Sequence, residues 1–210
     1  MHQGPDDESS EGNILDDRAF RSMIEECQTQ MTIPEKTGAP QFFLCPVGLV
    51  GAGKTTTLTP LAEHFHLVRI STDEIRRILM KRGYNLIRTK EIALTLIRQY
   101  AEKGFSIAID ADCVTQKDLI NKAATAFNAK AIWIHINPPE EFIINNNKPR
   151  NFENTGLFKG ADEAVASYFR RKPLHENLDF PFVFTFDTSK PNIAEQIAQA
   201  IQDIDHEMKR

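Results

Sequence analysis

The glycine-rich segment Gly48-Leu49-Val50-Gly51-Ala52-Gly53-Lys54-Thr55 constrains the fold of this chain more than any other stretch. It follows the apolar run Phe42–Val47, precedes a helical pattern, and matches G-x-x-x-x-G-K-[ST] at every fixed position. Glycines let the backbone curl so that successive N–H groups point at an anion, and the positive end of the following helix lies at the same place. The segment therefore predicts a strand, a phosphate-binding loop and a helix that together bind a nucleoside triphosphate.

The residues of this loop have distinct expected roles. Lys54 is expected to reach the β- and γ-phosphates of ATP, and the Thr55 hydroxyl is expected to hold Mg²⁺. The cofactor-binding residues that we predict are Gly48, Gly51, Ala52, Gly53, Lys54, Thr55 and Thr56.

Length, hydropathy and cysteine content limit the class of protein. The 210 residues suit one domain with a real core, and no apolar run approaches the length of a membrane span. The N-terminal segment lacks the basic and apolar regions of a secretory signal. The three cysteines are scattered and lack C-x-x-C spacing, so we expect neither a disulfide framework nor a zinc site. This use of cysteine favours a location in the reducing cytoplasm.

Charge is distributed unevenly along the chain. Residues 1–17 contain six acidic side chains and no Lys or Arg, and removing these six charges from the formal net charge of −4 leaves residues 18–210 at +2. Bulk charge therefore disfavours binding to long nucleic acid, although a local basic groove stays compatible with the sequence. We expect a disordered acidic tail at 1–13, a helix and connector at 14–40, and a nucleotide-binding domain at 41–210.

Apolar periodicity predicts an alternation of helices and short strands. A helix is expected from about residue 16 to residue 31. Its apolar face could cover the sheet or bind a partner, and we favour the first interpretation. Helical patterns separate five apolar segments that we predict to be strands. These segments are 42–47, 67–70, 105–110, 131–136 and 181–186. This alternation predicts an α/β fold with a parallel sheet and helices on both faces. Phe182, Phe184 and Phe186 alternate and are expected to pack on one face of the sheet.

Two acidic residues stand where strands end, which is where ligands bind on such sheets. Asp110 ends the third strand and is expected to hold Mg²⁺ together with Thr55. Asp73 follows the second strand, where it could cap the next helix or accept a proton from an attacking hydroxyl. Arg76 lies one turn farther along that helix and could stabilise developing charge. Asp112 is better placed than Asp110 to cap a helix.

The segment Ile70-Ser71-Thr72-Asp73-Glu74-Ile75-Arg76, followed by Ile109-Asp110-Ala111-Asp112, resembles two motifs of a family of small P-loop kinases. That family includes polynucleotide kinases of the phage type, zeta toxins and many single-domain predicted kinases. The resemblance covers about residues 41–150 and implies a five-stranded parallel sheet of order 2-3-1-4-5. It also implies ATP and Mg²⁺ as cofactors, Asp73 as the base, Arg76 at the reaction centre and Asp110 as an organiser of substrate or metal.

The same resemblance implies a lid at about 138–160 whose arginines close over the phosphates of ATP. The family's first lid arginine is replaced here by a neutral residue, which leaves Lys148 and Arg150 in the corresponding segment. Arg150 is the expected catalytic lid cation, with Arg170 or Arg171 as alternatives from the next helix. The sequence also departs from the family at Asp112-Cys113, where Thr-Asn is frequent, and Cys113 is not expected to be a nucleophile.

Taken together, these features predict an ATP-dependent phosphotransferase that acts on a hydroxyl group of a small-molecule or nucleotide-like acceptor. Lys54, Asp73, Arg76 and Arg150 are the expected catalytic residues. Two alternatives stay open at this stage: a switch that binds or hydrolyses nucleotide, and a degenerate relative that binds a partner. The sequence lacks an N-K-x-D element, which disfavours a GTPase.

Overall fold

The computed structural model describes residues 12–147 and 160–210 and contains one five-stranded sheet. The strands are β1 (Phe42–Val47), β2 (Val68–Ser71), β3 (Ile107–Asp110), β4 (Lys130–Ile136) and β5 (Phe182–Phe186). The α-helices of the described residues are α1 (Asp17–Gln30), α2 (Lys54–His64), α3 (Thr72–Lys81), α4 (Thr89–Glu102), α5 (Lys117–Ala126), α6 (Glu140–Asn147), α7 (Ala161–Arg171) and α8 (Ile193–Met208). A short 3₁₀ helix, Lys172–His175, continues directly from α7.

The sheet is parallel throughout and has the strand order β2-β3-β1-β4-β5, which confirms the predicted fold. Each crossover between neighbouring strands contains at least one helix, as parallel pairing requires. The order places β3 directly between β1 and β2, and Ser71 at the end of β2 pairs in register with Asp110 at the end of β3. The phosphate-binding loop and the residues after β2 and β3 consequently share one edge of the sheet.

Helices cover both faces of the sheet. All six residues of β1 are buried, because α1, α3, α4 and α5 pack on one side of the sheet and α2 and α8 on the other. Phe43, Cys45 and Val47 face the first layer, whereas Phe42 and Leu44 face the second. Burial on both faces explains why the sequence of β1 is a continuous apolar run. Among the described residues, no helix combines the length and the apolar character that a bilayer crossing demands.

The N-terminal helix α1 belongs to the same core as the sheet. Asp16 caps it by accepting a hydrogen bond from the Ala19 N–H at 2.7 Å, and its buried residues Met23, Ile24 and Cys27 pack beside α3 and α4. The apolar face of α1 therefore covers the fold. Of the predicted acidic tail, residues 1–11 lie outside the described residues, and Asn13 bridges to Tyr84.

The prediction that Phe182, Phe184 and Phe186 share one face is wrong for Phe182. The pairing of β4 with β5 shifts register between Trp133 and Ile134, so that Trp133 pairs with Phe182 and Ile134 with Phe184. This irregularity reverses the alternation of side chains. Phe182 consequently packs on the α1 side of the sheet, while Phe184 and Phe186 pack on the α2 side.

Candidate active site

The phosphate-binding loop connects β1 to α2, as predicted. Gly51 and Gly53 have φ angles of +86° and +93°, in the left-handed region that disfavours side chains. A Cβ atom on Gly51 would lie 2.6 Å from Nδ2 of Asn147, and one on Gly53 would lie 2.9 Å from Cγ2 of Thr188. Both positions therefore need glycine for backbone conformation and for close approach of another element.

Lys54 folds back onto its own loop. Its Nζ donates hydrogen bonds to the carbonyl oxygens of Gly48 at 2.8 Å and Leu49 at 3.0 Å. The positive charge of Lys54 favours the ionised forms of Asp110 and Asp112: it opposes the rise in the pKa of Asp110 that burial causes, and it contributes to the lowered pKa of Asp112. The loop lysine is thus held by two peptide oxygens of its own loop.

Asp110 is buried at the end of β3 and paired with a cation from the neighbouring strand. Arg69 on β2 binds both Asp110 and Glu74, and thereby bridges the two carboxylates. Burial raises the pKa of Asp110 above its ordinary value, against the opposing effects of Arg69 and Lys54. The charge of Asp73, two residues after the Ser71 that pairs with Asp110, acts in the same direction as burial and raises this pKa.

Asp73 and Arg76 form an ion pair at the start of α3. The Arg76 Nη1 lies 3.1 Å from Oδ1 of Asp73, one helical turn away. Ser71 caps the helix by accepting a hydrogen bond from the Glu74 N–H, so capping does not occupy the Asp73 side chain. The Asp73 side chain is 51% exposed, which leaves its carboxylate accessible to a substrate. Arg77 is exposed on another face, as the helical period requires.

Asp112 connects the phosphate-binding loop to the C-terminal end of α7, although the sequence indicated only a helix cap at this position. Its Oδ2 accepts from Arg171 Nη2 at 2.8 Å and lies 2.9 Å from His175 Nε2. Its Oδ1 accepts from the Gly48 N–H at 3.4 Å. Burial acts to raise the pKa of Asp112, but the hydrogen bond from His175 and the charges of Lys54, His175 and Arg171 outweigh it and hold this pKa well below its usual range.

The lid prediction falls partly on residues that are not described. Arg150 and Lys148 lie outside the described residues, and α6 and α7 flank that segment. Lys172 and Tyr168 both bind the Glu140 carboxylate, the tyrosine hydroxyl at 2.8 Å, and so connect the two helices. Of the two alternative arginines, Arg171 binds Asp112 and Arg170 is exposed.

The expected magnesium ligands offer oxygen atoms of the right kind. Thr55 and Thr56 are exposed in the first turn of α2, and no described residue hydrogen-bonds Oδ1 of Asp110. Groups of three or more His, Cys, Asp or Glu side chains suited to a metal do not occur among the described residues. Mg²⁺ fits this arrangement, because it is usually held by one or two protein ligands together with substrate phosphates and water.

Four residues of the site escaped sequence reasoning or were assigned other roles: Asp112, Asn147, His175 and Thr188. Asp112 stands two positions after Asp110, and its proximity to the strand end was the one available signal. His175 and Thr188 belong to no motif. Asn147 lies in a run of asparagines whose polar composition is typical of an exposed lid segment.

A protein-family sequence model described as "AAA domain" (AAA_33) matches residues 44–172 of the chain, from β1 to the end of α7. No curated protein sequence matches this chain at a significant level. The matched interval contains every candidate residue named above except His175 and Thr188.

Solved structures of kinases share the fold at low sequence identity. A sugar kinase from Janibacter sp. HTCC2649 is 20% identical with a TM-score of 0.50, over 79% of this chain and 95% of that one. The APS kinase of Mycobacterium tuberculosis, in complex with AMPPNP and APS, is 13% identical with a TM-score of 0.52, over 80% and 99%. A structure from the PezAT toxin-antitoxin system of Streptococcus pneumoniae is 14% identical with a TM-score of 0.52, over 93% and 98%. At such identities the likeness shows a common fold.

Proposed function

The chain belongs to the AAA_33 family of AAA domains, and from this premise we propose that it is an ATP-dependent phosphotransferase. The proposed reaction moves the γ-phosphoryl group of ATP to a hydroxyl group of a small-molecule or nucleotide-like acceptor. Since fold alone does not fix activity, the proposal depends on the side chains at the site.

One observation carries the proposal: the loop that contains Lys54 and the ends of β2 and β3, where Asp73 and Asp110 lie, share one edge of the sheet. The pKa of Asp110 responds to the charges of both Lys54 and Asp73. A phosphate-binding lysine therefore lies in the same charged cluster as an accessible carboxylate. This combination suits transfer of a phosphoryl group to a substrate hydroxyl, because it places a cation for the phosphates near a base for the acceptor.

The chemistry follows from these positions. The loop N–H groups and Lys54 bind the phosphates, and Asp73, oriented by Arg76, accepts the proton of the acceptor hydroxyl. The hydroxyl oxygen forms a bond to the γ-phosphorus, the bond from that phosphorus to the β,γ-bridging oxygen breaks, and the electron pair leaves with ADP. Arg76 also lies where it can stabilise negative charge on the transferring group.

Thr55 and Asp110 are the residues that would hold Mg²⁺, which would neutralise charge on the phosphates. The proposed lid cation is Arg150, with Lys148 beside it. Arg171 is held near the loop by Asp112, which supports a role for the C-terminal end of α7 at the nucleotide site. Each of these assignments is part of the proposal.

We also propose that the chain lies near the polynucleotide kinases and zeta toxins within this fold, on the strength of the D-x-x-R segment from Asp73 to Arg76. A cytoplasmic location is supported by Cys27, Cys45 and Cys113, which are all free and buried. A near-neutral body, at +2 for residues 18–210, favours small acceptors over long nucleic acid.

An acceptor screen with γ-labelled ATP tests the proposal. Purified wild-type protein is incubated with Mg²⁺, labelled ATP and pools of sugars, nucleosides, nucleotides and short oligonucleotides with free 5′-hydroxyls, and labelled products are separated. Lys54→Ala should abolish label transfer, whereas Lys122→Ala, which changes an exposed lysine on α5, should leave it intact.

The outcomes separate the alternatives. Release of labelled inorganic phosphate without any labelled acceptor would favour a nucleotide-hydrolysing switch. Failure of the wild type to bind ATP in calorimetry would favour an interaction protein, although the burial of the apolar face of α1 weighs against that reading.

A further inference from the structure

The carbonyl groups of the phosphate-binding loop are held by side chains from three different elements. Lys54 of α2 binds the Gly48 and Leu49 oxygens. Asn147, the last residue of α6, donates from Nδ2 to the Val50 oxygen at 3.2 Å. Thr188, in the segment between β5 and α8, donates from Oγ1 to the Ala52 oxygen at 2.7 Å.

These contacts determine where the loop N–H groups point. In a planar trans peptide the C=O and the following N–H point in opposite directions. When Asn147 holds the Val50 oxygen, the Gly51 N–H is directed away from α6, and when Thr188 holds the Ala52 oxygen, the Gly53 N–H is directed away from Thr188. Within residues 12–147 and 160–210, neither N–H donates a hydrogen bond to a protein acceptor.

We propose that Asn147 and Thr188 are positioning residues of the nucleotide site, which fix two peptide planes so that the Gly51 and Gly53 N–H groups face the β-phosphate. This inference rests on the proposed function, because it presupposes that a nucleotide binds the loop. Neither residue contacts the transferring group in this role. Each acts through the loop backbone.

The close approach of both side chains supports the assignment. The Asn147 amide lies against Gly51 and the Thr188 side chain against Gly53, at distances that a Cβ atom on either glycine would not allow. The glycines that permit the left-handed turns of the loop therefore also admit the two side chains that hold its carbonyls.

The environment of Asn147 supports it further. Asn147 is fully buried, and its Oδ1 is the one buried side-chain polar atom of the described residues that has no hydrogen-bond partner. An unpaired buried acceptor is unfavourable for folding, so Oδ1 itself gives no reason for an amide at this position. The contribution of the amide lies in its Nδ2 donor to the loop.

A matched pair of substitutions at Thr188 tests the proposal. Thr188→Val keeps the shape and removes the donor, whereas Thr188→Ser keeps the hydroxyl. Affinities for ADP and for adenosine are measured by calorimetry with Mg²⁺. Thr188→Val should weaken ADP binding about 5–10-fold, as expected for one lost hydrogen bond, and leave adenosine binding within about twofold of wild type. Thr188→Ser should bind ADP within about twofold of wild type.

Asn147→Leu provides an independent test, because leucine has the same number of side-chain heavy atoms but neither a donor nor an acceptor. ADP affinity should fall by about 5–10-fold, while adenosine affinity stays within about twofold of wild type. A merely structural asparagine would leave the ADP affinity of the folded variant unchanged. If Asn147→Leu does not fold, the Thr188 pair decides alone.

The results distinguish this inference from the proposed function. If wild type binds ADP and Thr188→Val binds it equally well, the positioning role is overturned and the kinase proposal stands. An equal loss of ADP and adenosine affinity in Thr188→Val would also overturn it, since the effect would not depend on phosphate. A wild-type chain that binds neither ATP nor ADP would overturn both.

Discussion

The Nε2 atom of His175 lies 2.9 Å from Oδ2 of Asp112, and both side chains are buried beside the phosphate-binding loop. Arg171 binds the same carboxylate oxygen, and the Gly48 N–H binds the other. One carboxylate therefore joins the C-terminal end of α7 to the first residue of the loop.

Replacing Asp112 with asparagine should destabilise the protein by about 2–4 kcal/mol at pH 7, because Arg171, whose side chain is 17% exposed, loses its charged partner. Urea denaturation of wild type and Asp112→Asn measures this difference. Asp118→Asn changes an exposed carboxylate on α5 and should stay within about 0.5 kcal/mol of wild type. Equal effects of the two substitutions would show that the buried anchor contributes nothing specific.

The same anchor should make stability depend on acid. The pKa of Asp112 is lower in the folded protein than its ordinary value, so its contribution to stability is fully present above the unfolded pKa of about 3.9 and is lost as the pH falls through the folded pKa. The stability difference between wild type and Asp112→Asn should therefore shrink as the pH drops below about 4. Denaturation curves between neutral and acid pH measure it, and a constant difference would contradict the assigned pKa shift.

Asp73→Asn should lower turnover by about 10²–10⁴-fold and leave ATP affinity unchanged, because asparagine cannot accept the proton of the acceptor hydroxyl. Single-turnover rates with labelled ATP and calorimetric titration measure the two quantities separately. Unchanged turnover would remove Asp73 from the role of base and leave it as a structural partner of Arg76.

Neighbouring arginines on α3 offer an internal comparison. Arg76→Gln should lower kcat/KM by about 10²-fold, because this side chain pairs with Asp73, the proposed base. Arg77→Gln removes the same charge from an exposed position on another face and should change kcat/KM by less than about twofold. Similar losses in both variants would indicate that general positive charge matters rather than the geometry of Arg76.

Gly51→Ala should be far more destabilising than Gly83→Ala. Both glycines have positive φ, at +86° and +73°, but a Cβ atom meets nothing within 4 Å at Gly83 and meets the Asn147 amide at 2.6 Å at Gly51. Backbone strain alone predicts a loss of about 1–2 kcal/mol for Gly83→Ala. The additional loss in Gly51→Ala should largely disappear in an Asn147→Ala background. A cycle of these variants in urea denaturation measures the coupling, and strict additivity would contradict the steric contact.

Local signals predicted the parts of the site that lie close together in sequence. The motif from Gly48 to Thr55 is contiguous, so its strand, loop and helix followed from one stretch of sequence. Asp110 could be found because it ends an apolar strand. The strand order came from the resemblance to small kinases, and the structure confirms it.

Contacts between distant segments could not be predicted in the same way. Arg171 and His175 follow Asp112 by 59 and 63 residues, and no periodic pattern relates them. Asn147 lies in a polar run whose composition suggests exposure, yet it is buried and donates a hydrogen bond to the loop. The misplaced Phe182 has a comparable cause, because a register shift between two strands leaves no mark on the alternation of either one.

Lys54 binds the carbonyl oxygens of Gly48 and Leu49, so the loop backbone supplies the acceptors for its own lysine. In the proposed reaction, nucleotide binding is an exchange in which this ammonium group moves from two peptide oxygens to phosphate oxygens. Asn147 and Thr188 hold two other carbonyl groups of the loop and would keep its backbone in place during that exchange. On this proposal, the entropic cost of ordering the loop belongs to folding of the chain and not to nucleotide binding.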